Sequence, residues 1–229
     1  MSTIAVPDDR SPSLGSFLRE AGSVLFLKAR RLAAALVADE VAAEGRPVLV
    51  IPGLLASDHS TALLRRSLQR AGFRVHGWEL GLNLGVRSDL LDRLERQLER
   101  TARYEPAAVV GWSLGGLYAR ELAKRRPELV SRVVTLGSPF SGNMRSNHAW
   151  RLYELINDHK VDSPPIAVRL HEKPPVPTVA LWSRRDGIVA PACARGREGE
   201  CDRHVELSCT HMGFVSDPSA LRAVAEALA

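Results

Sequence analysis

Gly111-Trp-Ser-Leu-Gly-Gly116 is the stretch of sequence that decides the fold of this chain. It follows the apolar run of residues 107–110, which is typical of a buried strand, and it precedes residues 114–126, whose apolar positions have helical spacing. A sharp turn between a strand and a helix needs small neighbouring residues, because bulky side chains would collide there. The pattern predicts that Ser113 stands exposed on such a turn, beside a helix N-terminus that favours developing negative charge.

A serine hydroxyl is a weak nucleophile, so it needs a base and an acidic group that orients the base. Asp186 comes just after the apolar run of residues 177–182, where its alternative role is that of an ordinary turn aspartate. His211 follows the strand-like residues 204–209 and precedes a terminal amphipathic helix, a setting that the other histidines lack. We therefore predict Asp186 and His211 as the partners of Ser113.

Catalysis at a carbonyl group also needs two backbone N–H donors for the negative oxygen that forms in the reaction. Leu114, directly after the serine, is one predicted donor. The second is expected in the loop after the first buried strand, residues 47–52, where Gly53 lets the backbone turn and Leu54 N–H is the preferred group. The same loop also fits an ordinary turn in which Asp58 caps the next helix, and the two interpretations are compatible.

Buried strands alternate with helical patterns along the rest of the chain. Such alternation predicts an α/β fold, in which a mostly parallel sheet carries helices on both faces. The terminal helix has a clear start, with Asp217 as N-cap and Pro218 in its first turn. Strands are predicted at residues 48–52, 74–80, 107–112, 131–137, 177–182 and 204–208, and helices at residues 59–71, 88–104, 114–126 and 217–228.

With these motifs the chain resembles the α/β-hydrolase superfamily, and more narrowly its small bacterial esterase-like and lipase-like members. The resemblance implies the α/β-hydrolase fold and acyl transfer to water, with Ser113 as nucleophile, Asp186 as acid and His211 as base. It does not fix the substrate, because the superfamily also contains thioesterases, amidases, acyltransferases and non-catalytic relatives. The matching segments extend across residues 47–229 and are Ile51-Pro-Gly-Leu-Leu55, Gly111-Trp-Ser-Leu-Gly-Gly116, Thr135-Leu-Gly-Ser-Pro139, Ser183-Arg-Arg-Asp-Gly-Ile-Val189 and His211-Met-Gly-Phe214.

Four residues of the main domain are candidates for contact with substrate. Trp78 and Asn83 lie in the loop after the second predicted strand, at the sheet edge where open α/β folds bind ligands. Trp78 fits the sheet core equally well. Trp112 and Met212, which directly neighbour predicted catalytic residues, are the other two candidates.

An insert at residues 140–176 interrupts the alternation of strands and helices. It contains a predicted helix at residues 147–159 followed by a proline-rich stretch. By analogy with the family the insert would act as a short lid, with Trp150 and Leu155 facing an acyl chain. The alternative is that these apolar residues are simply the packed side of the helix.

The domain organisation is predicted as an N-terminal helical extension, residues 1–46, followed by an α/β-hydrolase domain, residues 47–229. Apolar residues recur at helical spacing within residues 11–44. This prefix is expected to dock on the body of the domain; the sharper alternative is an amphipathic helix lying on a membrane or over the acyl pocket. Its most apolar stretch, residues 24–37, is too short and too charged to cross a bilayer.

The amino-acid composition limits the kinds of molecule that the chain is expected to bind. The 229 residues carry a net charge of +5, with 25% charged and 45% hydrophobic residues, which is ordinary for a globular protein. The arginines are scattered over predicted helices and no aromatic residues interleave with them, so we expect no nucleic-acid partner. Contact with a membrane surface is conceivable but not favoured. The predicted partner is a small-molecule or lipid ester, no metal or organic cofactor is implied, and the oligomeric state stays open.

The cysteines and the first residues of the chain indicate in which cellular compartment the protein is expected. Bridges between Cys193 and Cys201, or between Cys193 and Cys209, are conceivable, but reduced thiols of a cytoplasmic protein are favoured. Residues 1–13 are polar and show no signal-peptide pattern, which gives the same expectation of a cytoplasmic protein.

The sequence thus predicts a serine hydrolase that cleaves carboxylic esters through an acyl-serine intermediate. An acyltransferase or thioesterase working with the same triad is the alternative among enzymes. The alternatives from other classes are a non-catalytic binding protein with this fold and a membrane-docking protein that uses its basic prefix.

Overall fold

The computed structural model describes residues 12–13, 15, 43–142 and 169–229 of the chain. Within these residues six strands form one sheet in the order β2-β1-β3-β4-β5-β6, and all neighbouring strands are parallel. The described elements, numbered in chain order, are β1 (Pro47–Ile51), α1 (Ala62–Arg70), β2 (Arg74–Gly77), α2 (Leu90–Thr101), β3 (Ala107–Trp112), α3 (Leu114–Arg125), β4 (Val130–Leu136), β5 (Thr178–Ser183), α4 (Pro191–Arg195), β6 (Arg203–Leu207) and α5 (Pro218–Leu228).

Helices cover both faces of the sheet, and strands β1 and β3 are buried along their whole length. In β1, Val48 and Val50 face a core shared with α1 and α5, whereas Leu49 and Ile51 face a second core shared with α2 and α3. Successive side chains of a strand point to opposite faces, so a strand covered on both faces buries every side chain. The predicted parallel α/β sheet with helices on both faces is confirmed.

The second strand is shorter than predicted, and the reason is a side chain from another loop. The strand was expected to reach residue 80, but β2 ends at Gly77. The carboxylate of Asp58 accepts hydrogen bonds from Trp78 N and Glu79 N, both at 3.0 Å, so these N–H groups do not serve a sheet. Because α1 begins at Ala62, the prediction that Asp58 caps that helix is wrong.

The start of the terminal helix agrees with the sequence. Asp217 accepts a hydrogen bond from Ser219 N at 3.0 Å, and Pro218 is the first residue of α5. The short helix α4 was not predicted. Its five residues are too few to show a helical period in sequence.

A buried arginine ties together the two described ends of the insert. Arg120 lies on α3 and is fully buried. Its guanidinium donates to the carbonyl oxygens of residues 170–172 at 3.1–3.4 Å and to Glu200 O at 3.0 Å. It also lies 4.2 Å from the centre of the Phe140 ring. Burial lowers the pKa of Arg120 to about 10, so the side chain keeps its charge at neutral pH.

Parts of two predicted segments lie outside the described residues. The insert is described only at residues 140–142 and 169–176, so its predicted helix and lid function are not addressed by the structure. Most of the N-terminal extension is likewise outside the described ranges. The domain boundary at residue 46 therefore stays a prediction.

Candidate active site

Ser113 occupies the turn between β3 and α3, as its sequence context predicts. Its backbone has φ +54° and ψ −122°, a conformation that non-glycine residues rarely adopt and that clusters at functional sites. Ser113 N donates to Leu136 O at 2.8 Å, which anchors the turn to the end of β4. The residue is half-buried, so the turn presents the side chain at the carboxyl edge of the sheet.

Glycines beside Ser113 allow the turn to pack against its neighbours. A Cβ atom at Gly111 would collide with the backbone of residues 115–116, at the start of α3. A Cβ atom at Gly115 would lie 2.7 Å from Pro52 O, and one at Gly116 would lie 2.7 Å from Ser138 Cβ. Each separation is shorter than a van der Waals contact. The small residues of the motif therefore bring α3 close to both β1 and β4.

Asp186 follows β5 and is held in one orientation. It is 2% exposed, and its Oδ1 accepts hydrogen bonds from Ile188 N and Val189 N, both at 2.8 Å. Its other oxygen, Oδ2, lies 2.8 Å from His211 Nδ1. The carboxylate is thus fixed by two backbone donors on one side and by an imidazole on the other.

His211 lies beside the residue that precedes Ser113. It is 4% exposed, its ring centre is 5.7 Å from that of Trp112, and Trp112 Nε1 donates to His211 O at 3.2 Å. The ring of Phe214 meets the imidazole edge-on at 6.2 Å. An ionised carboxylate only accepts hydrogen bonds, so the neutral imidazole facing Asp186 carries its proton on Nδ1 and its lone pair on Nε2.

Gly137 is a site residue that the sequence analysis did not single out. It follows β4 with φ +54°, and a Cβ atom there would lie 2.9 Å from Asp186 Oδ2 and 3.0 Å from Phe214 Cδ2. Only glycine leaves room for the Asp186 carboxylate and the Phe214 ring at this point. The available signal was its position after a buried strand, inside the quoted segment Thr135-Leu-Gly-Ser-Pro139.

The loop at residues 52–56, here named the oxyanion loop after the role predicted for Leu54, lies directly against the serine. A Cβ atom at Gly53 would be 3.1 Å from Ser113 Cβ. Ala56 N donates to Gly53 O at 3.1 Å, which closes a tight turn around Leu54 and Leu55. The structure therefore brings the residue next to Leu54 into contact with Ser113, while Leu114 is the first residue of α3 and its N–H has no partner within the helix.

The four predicted contact residues of the main domain occupy different surroundings. Trp78 is buried in the core beside α2, and its Nε1 donates to Gly81 O at 2.9 Å. Asn83 is fully buried, and its amide contacts the backbone of the oxyanion loop. Trp112 packs on the histidine, and Met212 is half-buried against the core of α1 and α5. Their contact with substrate stays a prediction.

Trp150 and Leu155 lie outside the described residues, so their predicted contact with an acyl chain is not addressed. In the described part of the chain, no three or more histidine, cysteine or acidic side chains are grouped so that they could hold a metal ion. No helix in the same ranges is long and apolar enough to cross a membrane.

Comparisons with known proteins agree with this fold. A model of the alpha/beta hydrolase fold matches residues 86–163. A probable hydrolytic enzyme from Pseudomonas aeruginosa PAO1 is similar in structure, with a TM-score of 0.61 and 18% identity, over 84% of this chain and 88% of that one. Naproxen esterase (carboxylesterase NP) from Bacillus subtilis gives a TM-score of 0.55 at 15% identity, over 80% and 83%. A thioesterase domain from the curacin biosynthetic pathway gives 0.51 at 14%, over 81% and 92%.

A curated relative matches over a short stretch. The biotin biosynthesis bifunctional protein BioHC of Teredinibacter turnerae is 45% identical over 49 residues, which are 20% of this chain and 9% of that protein. The match thus spans only a small part of the relative's length. The family match over residues 86–163 and the similar structures show that the chain has the alpha/beta hydrolase fold.

Proposed function

We propose that this protein is a serine hydrolase that cleaves carboxylic esters, similar to the small esterase-like and lipase-like members of the α/β-hydrolase superfamily. The observation that carries the proposal is the 2.8 Å contact between His211 Nδ1 and Asp186 Oδ2, in a buried pair beside the turn that bears Ser113. A nucleophile after β3, an orienting acid after β5 and a base after β6, all at the same edge of the sheet, are what acyl transfer through serine requires.

In the first half of the reaction the enzyme becomes acylated. His211 Nε2 takes the proton of Ser113 Oγ as this oxygen bonds to the acyl carbon, and the carbonyl oxygen becomes an anion. Leu54 N–H and Leu114 N–H donate to that anion. When the intermediate collapses, the ester C–O bond breaks and His211 gives the proton to the leaving alcohol. Asp186 stabilises the imidazolium between these two proton transfers.

In the second half, water releases the acyl group. His211 Nε2 accepts a proton from water as the water oxygen bonds to the acyl carbon. The second tetrahedral intermediate breaks its bond to Ser113 Oγ, which recovers a proton from His211. The products are a carboxylic acid and the free enzyme, so atoms and protons balance over the cycle.

Exposed leucines favour an apolar acyl group. Leu55 is 43% exposed and Leu82 is 53% exposed, whereas the other large apolar side chains of the described chain, apart from Tyr104, are buried or half-buried. A hydrogen bond of 2.7 Å from Leu55 N to Asn83 O places the two leucine-bearing loops side by side, and the loop of Leu55 adjoins Ser113 through Gly53. Apolar surface at the mouth of a site is suited to an acyl chain or a lipid ester.

Turnover of a substrate panel tests the proposal. The panel contains p-nitrophenyl esters of increasing chain length and acyl thioesters, and each is measured with the wild type and with Ser113→Ala. We expect ester turnover that the substitution lowers by up to about 10⁶-fold. A preference for thioesters that also depends on Ser113 would favour the thioesterase alternative. Ester turnover that survives Ser113→Ala in a folded protein would contradict the proposal.

A further inference from the structure

We propose that Asn83 is a positioning residue, which holds the oxyanion loop so that Leu54 N–H is in place for the anion formed at Ser113. The inference rests on the proposed function and extends it to a residue in a different loop. In this role Asn83 fixes the conformation of the oxyanion loop, whereas its position in the sequence suggested a contact with substrate.

Both ends of the oxyanion loop are bonded to Asn83. Its side-chain Nδ2 donates to Pro52 O at 2.9 Å, at the start of the loop. Its main-chain oxygen accepts from Leu55 N at 2.7 Å, and its main-chain N donates to Ala56 O at 2.8 Å, at the end of the loop. Leu54 therefore lies between two segments that a single residue fixes.

The conformation of the loop needs such support. Leu55 has φ +56°, a left-handed backbone that a leucine avoids because its Cβ approaches the following carbonyl oxygen. The hydrogen bond from Leu55 N to Asn83 O holds the peptide group on the N-terminal side of this unfavourable residue. Left-handed residues of this kind persist only where the surroundings hold them firmly, and they cluster at functional sites.

The N–H group of Leu54 is left available to donate to a substrate oxygen. Gly53 O accepts from Ala56 N at 3.1 Å, and in a trans peptide the N–H points opposite to the C=O. Leu54 N–H therefore points away from the interior of the turn. Among the residues that the structure describes, none accepts a hydrogen bond from it. The preceding residue, Gly53, is the one that packs on Ser113 Cβ.

The side chain at position 83 must both donate and accept a hydrogen bond, which an amide can do. Asn83 is fully buried, and besides donating to Pro52 O it accepts from Gly85 N at 3.1 Å through Oδ1. A carboxylate would present a second acceptor to Pro52 O, and an aliphatic side chain would leave both backbone groups unpaired. The loop that bears Asn83 is itself anchored at its other end, where Asp58 accepts from Trp78 N and Glu79 N.

Asn83→Asp tests the inference, with Gln97→Glu as a matched control. Gln97 is also a buried amide, and it donates to Gly77 O at 2.7 Å, at the end of β2 and not in the oxyanion loop. Both substitutions replace an amide donor by a carboxyl group of the same shape. For Asn83→Asp we expect kcat for a p-nitrophenyl ester to fall about 10²-fold, the size of effect seen when an oxyanion donor is lost, with KM changed much less. For Gln97→Glu we expect both constants to stay near those of the wild type.

Melting curves of both variants and of Asn83→Ala separate positioning from folding. A cooperative fold with a selective loss of kcat in either Asn83 variant supports the inference. An unchanged kcat, an equal loss in Gln97→Glu, or loss of the fold in both Asn83 variants would overturn it. Because Ser113→Ala is measured alongside, absence of Ser113-dependent turnover in the wild type would instead refute the proposed function.

Discussion

Ser113 is held in a strained backbone conformation by its neighbours. A residue in such a sparsely populated region costs about 1–3 kcal/mol, so the surroundings must impose it. Here the hydrogen bond to Leu136 O fixes the turn from one side, and close packing at Gly111 and Gly115 fixes it from the other. The strain lifts the side chain to the edge of the sheet, where it adjoins Gly53 of the oxyanion loop.

Asp186→Asn should leave a folded protein with severely reduced turnover. The amide oxygen can still accept from the backbone donors that hold Oδ1, but its NH₂ group faces His211 Nδ1 and favours the wrong tautomer. We expect kcat for an ester to fall on the order of 10⁴-fold, measured by steady-state kinetics. Asp202→Asn is a matched control, because Asp202 accepts from Thr178 N at 2.8 Å near the other end of β5.

The control should retain wild-type turnover, because Asp202 pairs with Lys173 and not with the candidate base. A loss of less than about tenfold in Asp186→Asn, which corresponds to only 1.36 kcal/mol of barrier, would show that Asp186 does not orient the histidine. Equal losses in the two variants would point to a shared effect on β5.

Residues with a local signature could be predicted from the sequence, and residues that act across the fold could not. Ser113 stands in a recognisable turn motif, and Asp186 and His211 follow strand-like runs. Asn83 instead acts through a contact with Pro52, 31 residues away, and Asp58 acts on residues 78–79 about 20 positions along the chain. Hydrogen bonds from a side chain to a distant backbone group leave no period or motif in the sequence.

Among the elements, strands buried on both faces were predictable because they are continuously apolar. The limits of β3 agree with the prediction, residues 107–112, since all six of its residues are buried. The end of β2 was missed, because the carboxylate of Asp58 takes the next two N–H groups. The limits of an element thus depend on side chains from other loops, which periodicity does not reveal.

Helix α3 begins directly after Ser113 and carries Arg120, whose hydrogen bonds hold residues 170–172 at the end of the insert. Arg120→Met keeps the approximate length of the side chain but leaves the carbonyls of residues 170–172 and Glu200 without their charged donor. We expect the free energy of unfolding to fall by about 3 kcal/mol. The melting temperature should fall by roughly 6–12 °C in calorimetry.

Arg125→Met on the same helix is the control for this substitution. Arg125 is exposed and pairs with Glu95 at 2.9 Å, and surface ion pairs of this kind contribute less than about 1 kcal/mol. Equal melting temperatures of Arg120→Met and Arg125→Met would show that the buried arginine does not hold the insert to α3.

The candidate catalytic residues and two arginines that stabilise the terminal helix lie at opposite edges of the sheet. Ser113, Asp186 and His211 all follow strands and share the carboxyl edge. At the amino edge, Arg46 Nη1 donates to Leu228 O at 3.0 Å and Arg132 Nη1 donates to Ala227 O, so two arginines hold the end of α5. Cations are favoured beside the free carbonyl groups of a helix C-terminus.

Arg132→Met should therefore lower stability without lowering turnover. Burial, and then the positive charges of Arg46 and Arg203, lower the pKa of Arg132, so part of the gain from its hydrogen bond is offset. For this half-buried group we expect a loss of about 1 kcal/mol after allowance for solvent. The melting temperature should fall by roughly 2–4 °C.

Turnover of Arg132→Met at 25 °C should equal that of the wild type, with the exposed Arg96→Met on α2 as the control for both measurements. A drop in kcat with an unchanged melting temperature would show that the amino edge of the sheet is coupled to the candidate active site.

Covalent labelling of the serine tests the central claim most directly. The wild type is treated with a fluorophosphonate, and the modified residue is mapped by peptide mass spectrometry, with His211→Ala treated in parallel. We predict one phosphonyl group per chain, located on Ser113, and little labelling in the variant that lacks the base. Stoichiometric labelling at another serine, or labelling of Ser113 at the same rate without His211, would contradict the account.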